Sequence, residues 1–353
     1  MIRPHCFAKE WIDSFKTQDK YRKINPPLLE KMIHALSLLQ YLQKHGLNFI
    51  FKGGTSLILL LKNANRFSVD IDIITEESRQ TIERVLDDIV KSSHFKAWKL
   101  DEKRSYKEGV PKAHYELEYD SNVNKNSNYI LIDILFEKSH YPKIEQRAVQ
   151  SPWIETETVI EIPVPSIEAI TGDKLTAFAP TTTGILYGKG KEMEIIKQLF
   201  DLGTLFDHVE DLSQVASSFT EFSRQEITYR NLKIQSIDIL HDTLDTCRII
   251  CFRDRNRTEP DKSRYAELQN GIRGFGNFLI TGRFTIDEAI TAASKVAYFC
   301  AKLIVEDYSV AERYAGQDIQ NWEIKNQQWN ILNRLKRLPD QAGFYYWYKC
   351  HHE

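Results

Sequence analysis

Phe51-Lys-Gly-Gly-Thr-Ser-Leu57 and, a few residues on, Arg66-Phe-Ser-Val-Asp-Ile-Asp-Ile73 are the two stretches from which the fold is read. Leu47 to Phe51 is a short apolar run with the length of a buried strand. Gly53-Gly54 breaks it, and Thr55 opens an apolar segment, Leu57 to Leu61, of helical character. A strand, a glycine turn and a helix start lie in a row. Such a turn lets backbone N–H groups and the Thr55 hydroxyl come close to a phosphate, with the helix dipole favouring the negative charge. In Val69-Asp-Ile-Asp-Ile-Ile74 strand alternation sends Asp70 and Asp72 to one face and Val69, Ile71 and Ile73 to the other. Two neighbouring carboxylates on an apolar strand repel each other and are costly to desolvate. A divalent cation between them removes both problems. Mg²⁺ (or Mn²⁺), which takes hard oxygen ligands and bridges phosphates, is the expected ion.

Each half has an ordinary explanation: Gly-Gly as a plain turn, Asp-x-Asp as an exposed strand edge. In this order and together they resemble the first motif of the nucleotidyltransferase superfamily. The fuller pattern, Lys-Gly-Gly-Thr-Ser-Leu with Arg-Phe-Ser-x-Asp-Ile-Asp-Ile, resembles in particular the AbiEii/AbiGii (MenT-like) toxins of type IV toxin–antitoxin systems.

The rest of the chain sets broad limits. Its 353 residues are enough for one large or two medium domains. A hydrophobic fraction of 42% with 27% charged residues is that of an ordinary soluble protein. The net charge of −2 gives no global attraction to nucleic acid, so any RNA contact must be a local patch. Five scattered cysteines with no Cys-x-x-Cys pair suit free thiols in a reducing cytoplasm. No apolar run reaches membrane-spanning length, and no signal-peptide core is visible at the start. A cytoplasmic location is expected.

Helices are expected over Leu28 to His45, capped by Gly46, and over Glu76 to Ser93. Strands are expected at Phe95 to Leu100, His114 to Tyr119, Tyr129 to Phe136 and Thr158 to Val164. The strand at 129–136 carries one acid, Asp133. A lone buried Asp is expensive unless it has a task or a partner, so it is either a third site carboxylate or a salt-bridged strand-end acid. Ser166 caps a helix carrying Asp173-Lys-Leu-Thr-Ala177. A Thr/Gly-rich loop follows, and then a second helix, Lys191 to Leu202, with Met193, Ile196, Leu199 and Phe200 inward. Beyond about residue 205 strand signals fade, and helices are read over Thr228 to Phe252, Thr285 to Ser309 and Gln317 to Leu338. The mixed sequence Arg253 to Arg264 reads either as an RNA-backbone contact or as a solvated loop, and Cys350-His-His-Glu353 as a disordered tail.

The resemblance spans roughly residues 28–205. It implies an α+β nucleotidyltransferase-fold mixed sheet with flanking helices in residues 1–205 and a helical domain in residues 206–353. It implies metal-dependent transfer of nucleotides from an NTP to an acceptor, foremost the tRNA 3′ end, with growth arrest as the result and a separately encoded antitoxin as partner. By this resemblance Asp70 and Asp72 hold the metal, Lys174 holds the triphosphate, and Asp133 or Asp201 is the general base. Lys197-Gln-Leu-Phe-Asp-Leu202 matches the family's second region except at Gln198, where an acid is common. Gly53, Gly54, Thr55, Arg66 and Ser68 face the phosphates. Ser68 can also be a loop hydroxyl bonding its own backbone, and Lys52 is either a phosphate ligand or a strand-end charge. Two other readings stay open: a module that binds NTP without transferring it, and a transferase acting on a protein or small molecule.

Overall fold

The computed structural model of the chain describes residues 1–352 apart from 62–64 and 106–108. It forms two compact units. The first comprises Met1–Ser166 with Asn277–Gly282, the second Ile167–Gly276 with Arg283–Glu353. Residues 167–205, read from sequence with the core domain, lie in the second unit.

The first unit is built on a five-stranded sheet. Its strands are β1 (Ile50–Lys52), β2 (Ile71–Thr75), β3 (Ala97–Leu100), β4 (Lys112–Asp120) and β5 (Ser127–Phe136), in the order β1-β2-β5-β4-β3. Only β2 and β5 run parallel, so the sheet is mixed. Beyond the short helix α1 (Lys9–Ser14), helices α2 (Pro26–Lys44), α3 (Gly53–Leu60), α4 (Arg79–Ser92) and the single turn α5 (Glu102–Ser105) complete the layer. The Asn25 side chain caps α2 by accepting from the Leu28 N–H at 3.3 Å, and Gly46 ends the segment with φ +75°. Leu29, Ile33, Leu36 and Leu39 of α2, and Ile82, Leu86 and Ile89 of α4, are buried on the apolar side. A two-stranded sheet of β6 (Ile144–Ala148) and β7 (Glu161–Pro165) lies against β1. Strand β6 has no sequence forecast: Glu145 and Arg147 alternate with residues too weakly apolar to signal one.

The second unit is helical: α6 (Ile167–Ala177), α7 (Glu192–Leu205), α8 (Leu212–Tyr229), α9 (Ser236–Phe252), α10 (Glu259–Phe275), α11 (Ile286–Ile304) and α12 (Ala342–His352). Four expectations are corrected here. The helix read over Thr228 to Phe252 is two, broken where Asn231 takes φ +50° and restarted by a capping box between Gln235 and Asp238. Gln317 to Leu338 is largely irregular and carries only a 3₁₀ segment, Asn330–Arg337. Met193 is exposed, and Ile195 fills the inward position beside Ile196 and Leu199. The expected disordered tail is helical through His352. Among the described residues no helix is long and apolar enough to cross a membrane.

Candidate functional site

The glycine turn is tighter than the sequence alone requires. Helix α3 begins at Gly53 itself, and no side chain caps it. Gly53 sits at φ +76°, the left-handed region that favours glycine. A Cβ there would lie 2.8 Å from Cγ of Asp72. A Cβ on Gly54 would lie 2.5 Å from Nη2 of Arg66 and 2.9 Å from Oγ of Ser68. Asp72, Arg66 and Ser68 therefore crowd the space that two missing side chains leave open. Carboxylate, guanidinium and hydroxyl meet the backbone N–H groups at a helix N-terminus, the chemistry that holds a metal-bound phosphate chain.

The approach to β2 is held from several sides. The Thr55 hydroxyl is fully buried; it donates to the Asp70 carbonyl oxygen at 2.6 Å and lies 2.8 Å from Oγ of Ser68. Thr55 thus fastens the loop that carries the acids. Arg66 is buried, and its Nη1 donates to the Phe67 carbonyl at 2.9 Å. Residues 277–282 come back from far along the chain to pair with this loop. Phe67 N–H donates to Phe278 O at 2.7 Å, and Ile280 N–H to Asn65 O at 2.8 Å. Sequence reading missed this support, and nothing local in Asn277–Gly282 announces it.

Strand β2 starts at Ile71, so Asp70 stands exposed just ahead of it and Asp72 within it, with Ile71 and Ile73 buried on the opposite face. Asp72 is paired by register with Lys52 of β1 on one side and Asp133 of β5 on the other, and Asp133 in turn with His114 of β4. Residues paired across neighbouring strands project to the same face. Lys52, Asp72, Asp133 and His114 thus form one row across four strands. Asp133 keeps company that its sequence context hides. Its Oδ1 is 2.5 Å from His114 Nδ1, and its Oδ2 is 3.6 Å from Arg104 Nη2.

In the second unit, Lys174 of α6 and Asp201 of α7 form a buried ion pair, Nζ to Oδ2 at 2.7 Å, and the Gln198 Oε1 accepts from the same ammonium at 3.2 Å. Gln198 thus occupies a working position in the cluster, as an uncharged acceptor. Lys197 pairs along its own helix with Glu194 at 2.7 Å.

Among the described residues no three His, Cys, Asp or Glu side chains gather as a metal cage. The donor set nonetheless has the chemistry that Mg²⁺ takes: hard carboxylate oxygens, here beside a glycine turn at the start of a helix.

A family model described as "Nucleotidyl transferase AbiEii toxin, Type IV TA system" matches residues 37–277. Solved structures similar in chain trace include these two. One is JHP933 from Helicobacter pylori, at 15% identity and TM-score 0.40, covering 79% of this chain and 91% of that one. The other is an antigenic nucleotidyltransferase-like protein from Paracoccidioides brasiliensis, at 12% identity and TM-score 0.36, covering 60% and 97%. No curated protein matches the chain.

Proposed function

The chain belongs to the family of AbiEii nucleotidyl transferase toxins of type IV toxin–antitoxin systems, and from that premise we propose that it transfers a nucleotide from an NTP to the 3′ end of tRNA and so arrests growth. The observation that carries the reading is the Gly53-Gly54 turn, with Asp72, Arg66 and Ser68 packed into the room its absent side chains leave. A triphosphate bound at the turn would meet N–H groups of α3, the Arg66 guanidinium and the Ser68 hydroxyl.

In this reading Asp70 and Asp72 hold Mg²⁺, which, when bound, neutralises the phosphates and the pyrophosphate leaving group. The acceptor hydroxyl attacks the α-phosphorus and its proton passes to a carboxylate, Asp133 or Asp201. A new P–O ester bond forms, and the bond to pyrophosphate breaks. Lys174 offsets charge on the triphosphate. Lys52, at the head of the carboxylate row, is a further phosphate ligand. A cytoplasmic setting and a separately encoded antitoxin complete the proposal.

Incubation with Mg²⁺, each α-labelled NTP in turn and total tRNA tests it, beside Asp70→Ala. Asp70 is exposed, so its loss leaves the fold intact. Label on tRNA from one preferred NTP, lowered by on the order of 10²-fold or more in the variant, is the expected outcome. NTP binding with no label on RNA would move the assignment to a nucleotide-sensing module or to a protein or small-molecule acceptor. Full activity in the variant would refute the metal assignment.

A further inference from the structure

Within the nucleotidyltransferase reading, on which this inference rests, we propose that His114 is the positioning residue of Asp133: its ring and its backbone together set the one orientation in which that carboxylate meets the reacting hydroxyl. The ring comes first. His114 is more than nine-tenths buried on β4, directly across from Asp133 in the β4–β5 register, with Nδ1 2.5 Å from Oδ1. A carboxylate accepts, so Nδ1 carries the proton. The other nitrogen, Nε2, is buried and has no hydrogen-bond partner among the described residues. Burying an unsatisfied polar atom is unfavourable, and an apolar side chain of similar size would fill the place without that penalty. What only the imidazole supplies is the bond to Asp133.

The backbone adds a second hold. His114 C=O accepts from Asp101 N–H at 2.8 Å, and His114 N–H donates to Oγ of Ser105 at 2.8 Å. The Ser105 hydroxyl in turn donates to Asp101 O at 2.6 Å. The first two bonds hang the turn of α5 from His114 and the third closes it, and that turn presents Arg104 at 3.6 Å from Oδ2 of the same carboxylate. With one oxygen tied to the ring and the other facing the guanidinium, the carboxylate plane is fixed beside Asp72. Partners that orient a reacting or ligating group in this way are worth roughly 10–100-fold in activity when removed.

The test compares His114→Ala, His114→Asn and Asp133→Ala with the wild type, by steady-state nucleotide transfer and by ¹⁵N NMR of the imidazoles. Asn places its amide N–H near the position of Nδ1, so it separates donation from packing. His114→Ala should lower kcat about 10–100-fold with KM for the NTP unchanged, and His114→Asn should recover most of the loss. In the wild type one imidazole should show a proton held on Nδ1, a signature lost in Asp133→Ala. Wild-type rates in His114→Ala or in Asp133→Ala, or an Asn variant no better than Ala, would overturn the proposal. So would a His114 ring carrying its only proton on Nε2. A wild type that transfers no nucleotide refutes the parent reading instead, and the NMR arm still decides whether His114 holds Asp133.

Discussion

At Gly53 a single hydrogen stands where any other residue would place a Cβ atom against Asp72. Gly53→Ala meets two penalties. An alanine at φ +76° costs about 1–2 kcal/mol in backbone terms, and its Cβ would be forced onto the Asp72 carboxylate. The variant should melt several degrees lower and lose transfer activity by more than the stability loss explains, because Asp72 must move. Thermal unfolding and nucleotide transfer on the same preparation check this. An alanine variant as active as the wild type would mean that the contact between Gly53 and Asp72 is incidental. Asp72 and Asp133 were legible as candidates, because an acid in an apolar strand needs a reason. His114 and Arg104 were not. Their meaning depends on the β4–β5 register and on one turn of helix, neither of which leaves a mark at their own positions.

Helices α6 and α7 are joined by a buried ion pair to which the proposed function also gives a part in the reaction. Lys174 and Asp201 bury opposite charges at 2.7 Å. Removing one partner strands the other charge in the interior, at about 3–5 kcal/mol, whereas replacing both by apolar residues is often neutral or stabilising. Lys174→Met and Asp201→Leu should each shift the denaturation midpoint strongly, and the double variant should regain most of it while remaining without transfer activity. A double variant that is active would remove the pair from the reaction.

A second element pair sets a pH dependence. His34 of α2 stacks on Tyr119 with ring centroids 3.7 Å apart, and its Nδ1 is 2.9 Å from Nε2 of His94. Burial, and for His34 the neighbouring His94, pushes His34 well below the usual histidine range; burial first, with Lys96 adding to it, takes His94 down to about 4. Both rings are held neutral in the fold. The unfolded chain therefore takes up protons first as pH falls below 6.5, and stability declines from there toward pH 4, with no change above. Urea midpoints measured from pH 7 to 4 should show that decline, and His94→Asn should flatten it. An unchanged slope would assign the acid sensitivity to carboxylates. Element boundaries were legible where a stripe and a cap agree, as in α2. The stretch Gln317 to Leu338 misled because Trp322 and Trp329 mimic a helical repeat. Asn333 there bonds both the N–H and the C=O of Ile324, and Lys336 bonds the Trp322 carbonyl, which gives the backbone an alternative to a helix.

At the scale of the whole molecule, the fold class was legible from one strand–turn–helix and one Asp-x-Asp strand, but the way the chain is shared between its two units was not. The stretch 167–205 reads with the core because the family resemblance runs through it, and periodicity reports which face of an element is buried, not which unit it joins. The return of Asn277–Gly282 to the first unit is invisible for the same reason. That return has a consequence. Phe278 O and Ile280 N–H bond the backbone on either side of Arg66, and Thr281 Oγ1 donates to Asn65 Oδ1 at 3.1 Å. A chain ending at residue 205 keeps every residue of the Gly-Gly and Asp-x-Asp motifs yet loses these bonds, and it leaves α6 and α7 without the helices they pack on. It should be poorly soluble or partly unfolded, and NTP protection against thermal unfolding, present in the full chain, should be absent. If residues 1–205 alone fold and bind NTP as the whole protein does, the 277–282 segment is dispensable and the loop carrying Arg66 holds its shape by local contacts. The Thr55 bond to Asp70 would then be the first of those contacts to remove.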